Sequence, residues 1–134
     1  MTFSGLAEDR LKIRERLDKY SDAVFRRDLD DYLACWTEDC VRSGPGGDCR
    51  GKDALRAQWT DIWHTLERMA FFTQVASIAV DGDRATARSY CLEILALRNG
   101  DSRRLIGMYD DELVRIGEEW LFSRRNYQVL IDNV

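Results

Sequence analysis

Residues 71–130 read FFTQVASIAVDGDRATARSYCLEILALRNGDSRRLIGMYDDELVRIGEEWLFSRRNYQVL, and this stretch decides the fold. Three turn signals punctuate it: Asp81-Gly82, Asn99-Gly100 and the weaker Gly117-Glu118. The first two dipeptides suit the positive φ angles that tight hairpins demand. They separate long runs at 71–80, 84–97, 103–115 and 120–130. Long strands joined in succession by short turns predict an antiparallel meander.

Upstream of this stretch the period changes. Ile13, Leu17, Tyr20 and Val24 recur at spacings of four, three and four, the apolar stripe of an amphipathic helix. Leu55, Trp59, Ile62 and Leu66 repeat that spacing after Gly51 and predict a second helix. Between the two, Leu29 to Leu33 reads as a short helix that Asp28 caps, and Gly44-Pro45-Gly46-Gly47 reads as a tight loop between short extended pieces. Helices first and strands afterwards predict an α+β fold, with the helices packed on one face of a sheet. The chain of 134 residues fits one domain spanning 1–134.

Composition narrows the function classes. A net charge of -4 and scattered Lys and Arg argue against nucleic acid, whose binding needs a basic footprint. No run approaches the roughly 18 apolar residues of a membrane span, and the start of the chain lacks a signal peptide's basic and apolar segments. Cys35, Cys40, Cys49 and Cys91 form no CxxC pair and meet only one histidine, His64, so no zinc site is expected. Reduced thiols and a cytoplasmic location are the expectation. No glycine-rich phosphate loop or dinucleotide fingerprint is present, so neither an organic cofactor nor a metal is expected.

Alternation along 84–97 places Ala85, Ala87, Ser89, Cys91, Glu93 and Leu95 on one face, with room there for helices or a ligand. The opposite face, with Tyr90, Leu92 and Ile94, is apolar. Together with Trp120 and Phe122 it is expected to be covered by another copy of the chain, as a homodimer or higher homo-oligomer.

Three segments read together point further: Tyr20-Ser21-Asp22 with Asp28, Val80-Asp81-Gly82-Asp83-Arg84-Ala85, and Tyr109-Asp110-Asp111-Glu112-Leu113 with Trp120-Leu121-Phe122-Ser123-Arg124-Arg125. Over 13–130 the chain resembles the SnoaL-like branch of the nuclear-transport-factor-2-like superfamily. That resemblance implies a cone-shaped domain, its helices closing over a curved antiparallel sheet around a central pocket. Relatives include polyketide cyclases, scytalone dehydratase, ketosteroid isomerase and a hexachlorocyclohexane dehydrochlorinase. Non-catalytic binding modules and small subunits of ring-hydroxylating dioxygenases share the fold, so fold alone does not choose among them.

The resemblance places Asp28 at the aspartate of an Asp/His dyad and Arg125 at a pocket arginine. The partner histidine is expected among Met69, Ala70, Phe71 and Phe72 and is absent. His64 lies about 200° around its helix from Ile62 and faces away from the core. The residues themselves offer chemistry beside a structural role in each case. Asp28 is a desolvated base if it continues the Tyr20–Val24 stripe, and a helix cap otherwise. Glu93 and Arg125 form either an ion pair fixing the sheet or a clamp on a substrate. Tyr20 and Tyr109 donate to an oxyanion or simply fill the core. Trp63 and Phe72, with other aromatics, form a wall for a flat substrate, and Cys91 lines the pocket. The function expected is a cofactor-independent lyase or isomerase of the dehydratase, cyclase or elimination type. It would abstract a proton from a small cyclic or aromatic substrate, with Asp28, Arg125 and Tyr20 catalytic and Glu93, Tyr109, Trp63, Phe72 and Cys91 binding. The alternatives are a non-catalytic small-molecule-binding module and a small structural dioxygenase subunit.

Overall fold

The structure, a computed structural model, describes residues 2–133. A two-residue strand β1 (Phe3–Ser4) precedes helices α1 (Ala7–Arg26) and α2 (Leu29–Ala34). A hairpin of β2 (Trp36–Gly44) and β3 (Gly47–Arg50) leads into α3 (Gly51–Thr65). Four long strands follow: β4 (Leu66–Asp81), β5 (Arg84–Leu97), β6 (Ser102–Ile116) and β7 (Glu119–Asp132). They pair antiparallel in sequence order, as the turn signals predict. The full sheet runs β1-β4-β5-β6-β7-β2-β3, with β2 joining β7 in parallel, and it curves without closing. The fold is α+β, its helices on the concave face.

The α1 stripe is as expected: Ile13, Leu17, Tyr20 and Val24 are all buried, with Ala23 between them. The helix stops at Arg26. Arg27 adopts φ 54°, its N–H donating to Val24 O, while Asp28 N–H reaches back to Ala23 O at 2.9 Å. This paired closure satisfies the last carbonyls of the helix and turns the chain away from the stripe. The Pro45-Gly46 turn of the β2–β3 hairpin has Gly46 at φ 95°, a conformation that side chains disfavour.

Two sequence expectations about strands need correction. Leu66 is the first residue of β4 rather than the last of the second helix, although it is buried. On β7, Trp120 and Phe122 face the core, at 1% and 0% exposure, and are not on the outer face. A bulge is the cause: Leu113 pairs with Phe122 and Glu112 with Arg124, so Ser123 is an extra residue that reverses the alternation. Trp120, Phe122, Arg125 and Tyr127 consequently all point to the concave side.

Candidate functional site

The helices and the concave sheet enclose a cavity of about 410 Å³. Tyr20 and Val24 of α1 and Tyr32 of α2 contribute to one side, and Trp59 and Trp63 of α3 to another. The sheet supplies Arg42 from β2, Phe71 from β4, Glu93 from β5, Tyr109 from β6 and Tyr127 from β7. The Tyr32 and Trp59 rings meet with centroids 4.6 Å apart and Trp59 meets Trp63 at 5.8 Å, so one wall is aromatic.

Glu93 is the polar centre. It is 7% exposed, forms no ion pair among the described residues, and accepts a hydrogen bond from Tyr127 Oη at 3.0 Å. Burial raises its pKa above the usual carboxylate range, against the opposing pull of the Tyr127 hydroxyl and the Arg42 charge. Glu93 and Tyr127 stand on strands that are not neighbours, since β6 runs between them. The contact exists because Gly107 occupies the intervening position on β6. A Cβ there would overlap the Tyr127 ring and lie 2.8 Å from its hydroxyl oxygen. The absent side chain lets the phenol cross the strand.

A second polar pair lies beside the first. Arg42 Nη2 donates to Tyr109 Oη at 3.4 Å, and its guanidinium carbon lies 5.5 Å from the Tyr127 ring centroid. Burial raises the pKa of Tyr109 well above its ordinary value, so it remains a neutral donor. Arg103 also lines the cavity, but Asp132 holds it through two bonds of 3.1 and 2.6 Å.

Of the residues singled out from sequence, Tyr20, Glu93, Tyr109 and Trp63 line this cavity. Four do not. Asp28 caps α2: its Oδ1 accepts from Asp31 N–H at 3.0 Å and its Oδ2 from Arg26 at 3.0 Å. Those donors, the Asp31 amide first, lower its pKa below the usual value, the opposite of a desolvated base. The αL closure at Arg27 is the physical reason, because it ends the stripe one turn before Asp28. Arg125 is 1% exposed and stands behind the tyrosines, its guanidinium carbon 4.4 Å from the Tyr20 centroid and 3.8 Å from that of Tyr109. Its partner is Asp111 at 2.7 Å, not Glu93. Phe72 is 54% exposed on the convex side, packed edge-on against Phe25, while its neighbour Phe71 faces the cavity. Cys91 is buried under the site, and burial, reinforced by Glu93, pushes its thiol up to about 12. That suppresses the thiolate a nucleophile needs.

Arg42, Tyr32 and Tyr127 are cavity residues that the sequence pattern does not single out. Arg42 follows Cys40 at the two-residue spacing of a strand, and Cys40 is buried, so the same face was the available signal. Among the described residues no group of three or more His, Cys, Asp and Glu side chains is placed to hold a metal ion. Nor is any helix there long and apolar enough to cross a membrane.

Comparison with known proteins agrees with this architecture. The sequence model of the SnoaL-like domain matches residues 6–126. An uncharacterised protein of Mycobacterium tuberculosis H37Rv is 30% identical over 122 residues, covering 87% of this chain and 82% of that protein. A crystal structure from Novosphingobium aromaticivorans with a provisional aromatic ring hydroxylase assignment superposes with TM-score 0.89 at 26% identity, covering 96% and 93% of the two chains. Another from the same organism, provisionally a scytalone dehydratase, superposes with TM-score 0.86 at 23% identity, covering 92% and 85%.

Proposed function

The chain belongs to the SnoaL-like domain family, and on that premise we propose that it is a cofactor-independent lyase or isomerase in which Glu93 abstracts a proton from a small cyclic or aromatic substrate. The observation that carries this reading is a carboxylate with no cationic partner among the described residues, inside an aromatic cavity, its Oε2 bonded by Tyr127. A buried, unpaired carboxylate costs stability, and such groups concentrate where chemistry needs them. The raised pKa of Glu93 brings the base closer to neutral operating pH. The scytalone dehydratase assignment of a structural neighbour is consistent with an elimination.

In this mechanism Glu93 takes a proton from the carbon next to a carbonyl, and the electron pair moves onto the carbonyl oxygen. Tyr109 Oη, backed by Arg42, donates to that oxygen as its charge grows. The intermediate then expels a group from the β-carbon, as a lyase, or recovers the proton from Glu93 at a different carbon, as an isomerase. Tyr127 holds the Glu93 carboxylate in place throughout. Deuterium exchange tests the first step without knowledge of the natural substrate. A panel of cyclic and aryl ketones in deuterium oxide is expected to gain deuterium with the wild-type protein and not with Glu93→Gln.

The second reading is a small structural subunit of a ring-hydroxylating dioxygenase, supported by the provisional aromatic ring hydroxylase assignment of a structural neighbour. Copurification with a larger partner, together with no exchange on any ketone, would favour it. Self-association is part of the proposal too. The convex face carries Phe72, Tyr90 and Ile131 at 54%, 38% and 53% exposure, with Leu92 and Ile94 between. Sedimentation at tens of micromolar is expected to show a dimer or larger species, and a monomer would contradict it.

A further inference from the structure

One cation at the cavity, only partly exposed, is left without an ion pair among the described residues. A guanidinium carries five N–H donors, and Arg42 uses one of them, on the Tyr109 hydroxyl. Among the described residues it belongs to no ion pair, in contrast to Arg103, which Asp132 grips twice, and to Arg125, which Asp111 grips twice. Glu93 shares the cavity but spends its Oε2 on Tyr127 and lies outside ion-pair distance of Arg42. The remaining Arg42 donors have no partner among the described residues and border the cavity. A partly exposed cation whose free donors face a cavity is a ready partner for an opposite charge held there. No described residue supplies that charge, and the space beside the free donors is the cavity.

We infer that Arg42 is an anion anchor, and that the cavity takes a flat cyclic or aromatic carboxylate, its carboxyl group on the free guanidinium edge and its ring along Trp59 and Trp63. The chemistry favours a carboxylate over a single charged oxygen. The planar fork of arginine matches two oxygens held in one plane. The Tyr109 hydroxyl accepts from Arg42 Nη2 and so holds the guanidinium in place, leaving its own single proton for the enolate oxygen. Trp59 and Trp63 of α3 line the same space and supply apolar surface for a ring. The volume of about 410 Å³ suits a ligand of one or two fused rings. This assignment rests on the reading of the cavity as a substrate site and adds to it the charge of the substrate. It also gives a geometric role to each polar group: Arg42 fixes one end of the ligand, and Glu93 acts on a carbon nearer the Tyr127 side.

Calorimetric titration with 2-naphthoate and its neutral isostere 2-naphthamide tests the assignment. The wild-type protein is expected to bind the carboxylate at least tenfold more tightly than the amide. Arg42→Gln is expected to bring that ratio to about one, and Glu93→Gln to leave it at or above the wild-type value. A wild-type ratio of one or below, or an undiminished ratio in Arg42→Gln, overturns the assignment. If Arg42→Gln does not fold by circular dichroism, Arg42→Lys decides: a several-fold smaller ratio supports the guanidinium fork, and an unchanged ratio overturns it. The titration reads binding and not turnover. Failure of deuterium exchange therefore leaves a carboxylate preference standing, and an amide preference leaves the proton-transfer reading standing.

Discussion

Arg125 and Asp111 form a side-on ion pair sealed from solvent, with Nε to Oδ1 at 2.7 Å and Nη2 to Oδ2 at 3.1 Å. Their side chains are 1% and 0% exposed, and the guanidinium lies against the rings of Tyr20, Tyr109 and Phe122. The pair bridges β6 and β7 beneath the cavity and sets the rings that form its floor. Removing one member of such a pair leaves a buried charge alone. Asp111→Asn is expected to cost about 3–5 kcal/mol in urea unfolding, and the double change Arg125→Met with Asp111→Leu to recover most of that loss. A loss below about 1 kcal/mol in the single variant would show the pair to be dispensable.

Gly107 is the gap through which Tyr127 reaches Glu93. Gly107→Ala places a methyl group where the phenol ring lies, so the ring must move and its bond to Glu93 is disturbed. The expected result is a folded protein that loses most of its exchange activity, with binding of neutral ligands weakened less. Full activity in this variant would mean that the Tyr127–Glu93 bond is incidental.

Tyr127 also sets the pH at which Glu93 ionises. Its hydroxyl donates to the carboxylate and so lowers a pKa that burial raises. Exchange requires the ionised base, so the rate is expected to rise with pH through an apparent pKa above the usual glutamate range. Tyr127→Phe removes the donor, and the limb is expected to move to higher pH. A limb that stays in place, or moves down, contradicts the assignment.

Asp28 is the control. As a helix cap, its replacement by alanine is expected to lower the urea midpoint at neutral pH by the small amount that a single cap supplies. The fold lowers the pKa of this carboxylate, so its advantage is complete above the ordinary aspartate value. That advantage fades as pH falls from about 4 through the lowered folded value, and the two proteins should converge in stronger acid. Exchange activity is expected to remain within about twofold of wild type. A loss of two orders of magnitude would return Asp28 to the catalytic centre.

The course of the chain was legible wherever a period extended over several turns or residues. The Tyr20–Val24 stripe, the three hairpins and the inward face from Ala85 to Glu93 follow from spacing alone, because burial repeats along them. Interruptions of the period were not legible. Extending the α1 stripe to Asp28 assumes that the helix continues, and the closure at Arg27 is set by backbone bonds to Ala23 and Val24. The choice of Phe72 over Phe71 is one residue of strand phase, fixed only where α3 meets β4 at Leu66. The bulge at Ser123 turned Trp120 and Phe122 inward while leaving Arg125 and Tyr127 on the face that simple alternation gives them. Arg42 was hidden because β2 is short in recognisable pattern, and its membership of the floor depends on parallel pairing with distant β7.

Proton abstraction by Glu93 is tested by deuterium incorporation into α-acidic cyclic ketones, followed by proton NMR, for wild type beside Glu93→Gln. The substituted amide keeps the size of the side chain and an acceptor for Tyr127 but holds no proton-accepting charge. Wild type is expected to catalyse exchange, with a fall of at least about 10²-fold in the variant, the usual scale of a general base. Equal exchange by the two proteins would contradict that role and remove Glu93 from the chemistry.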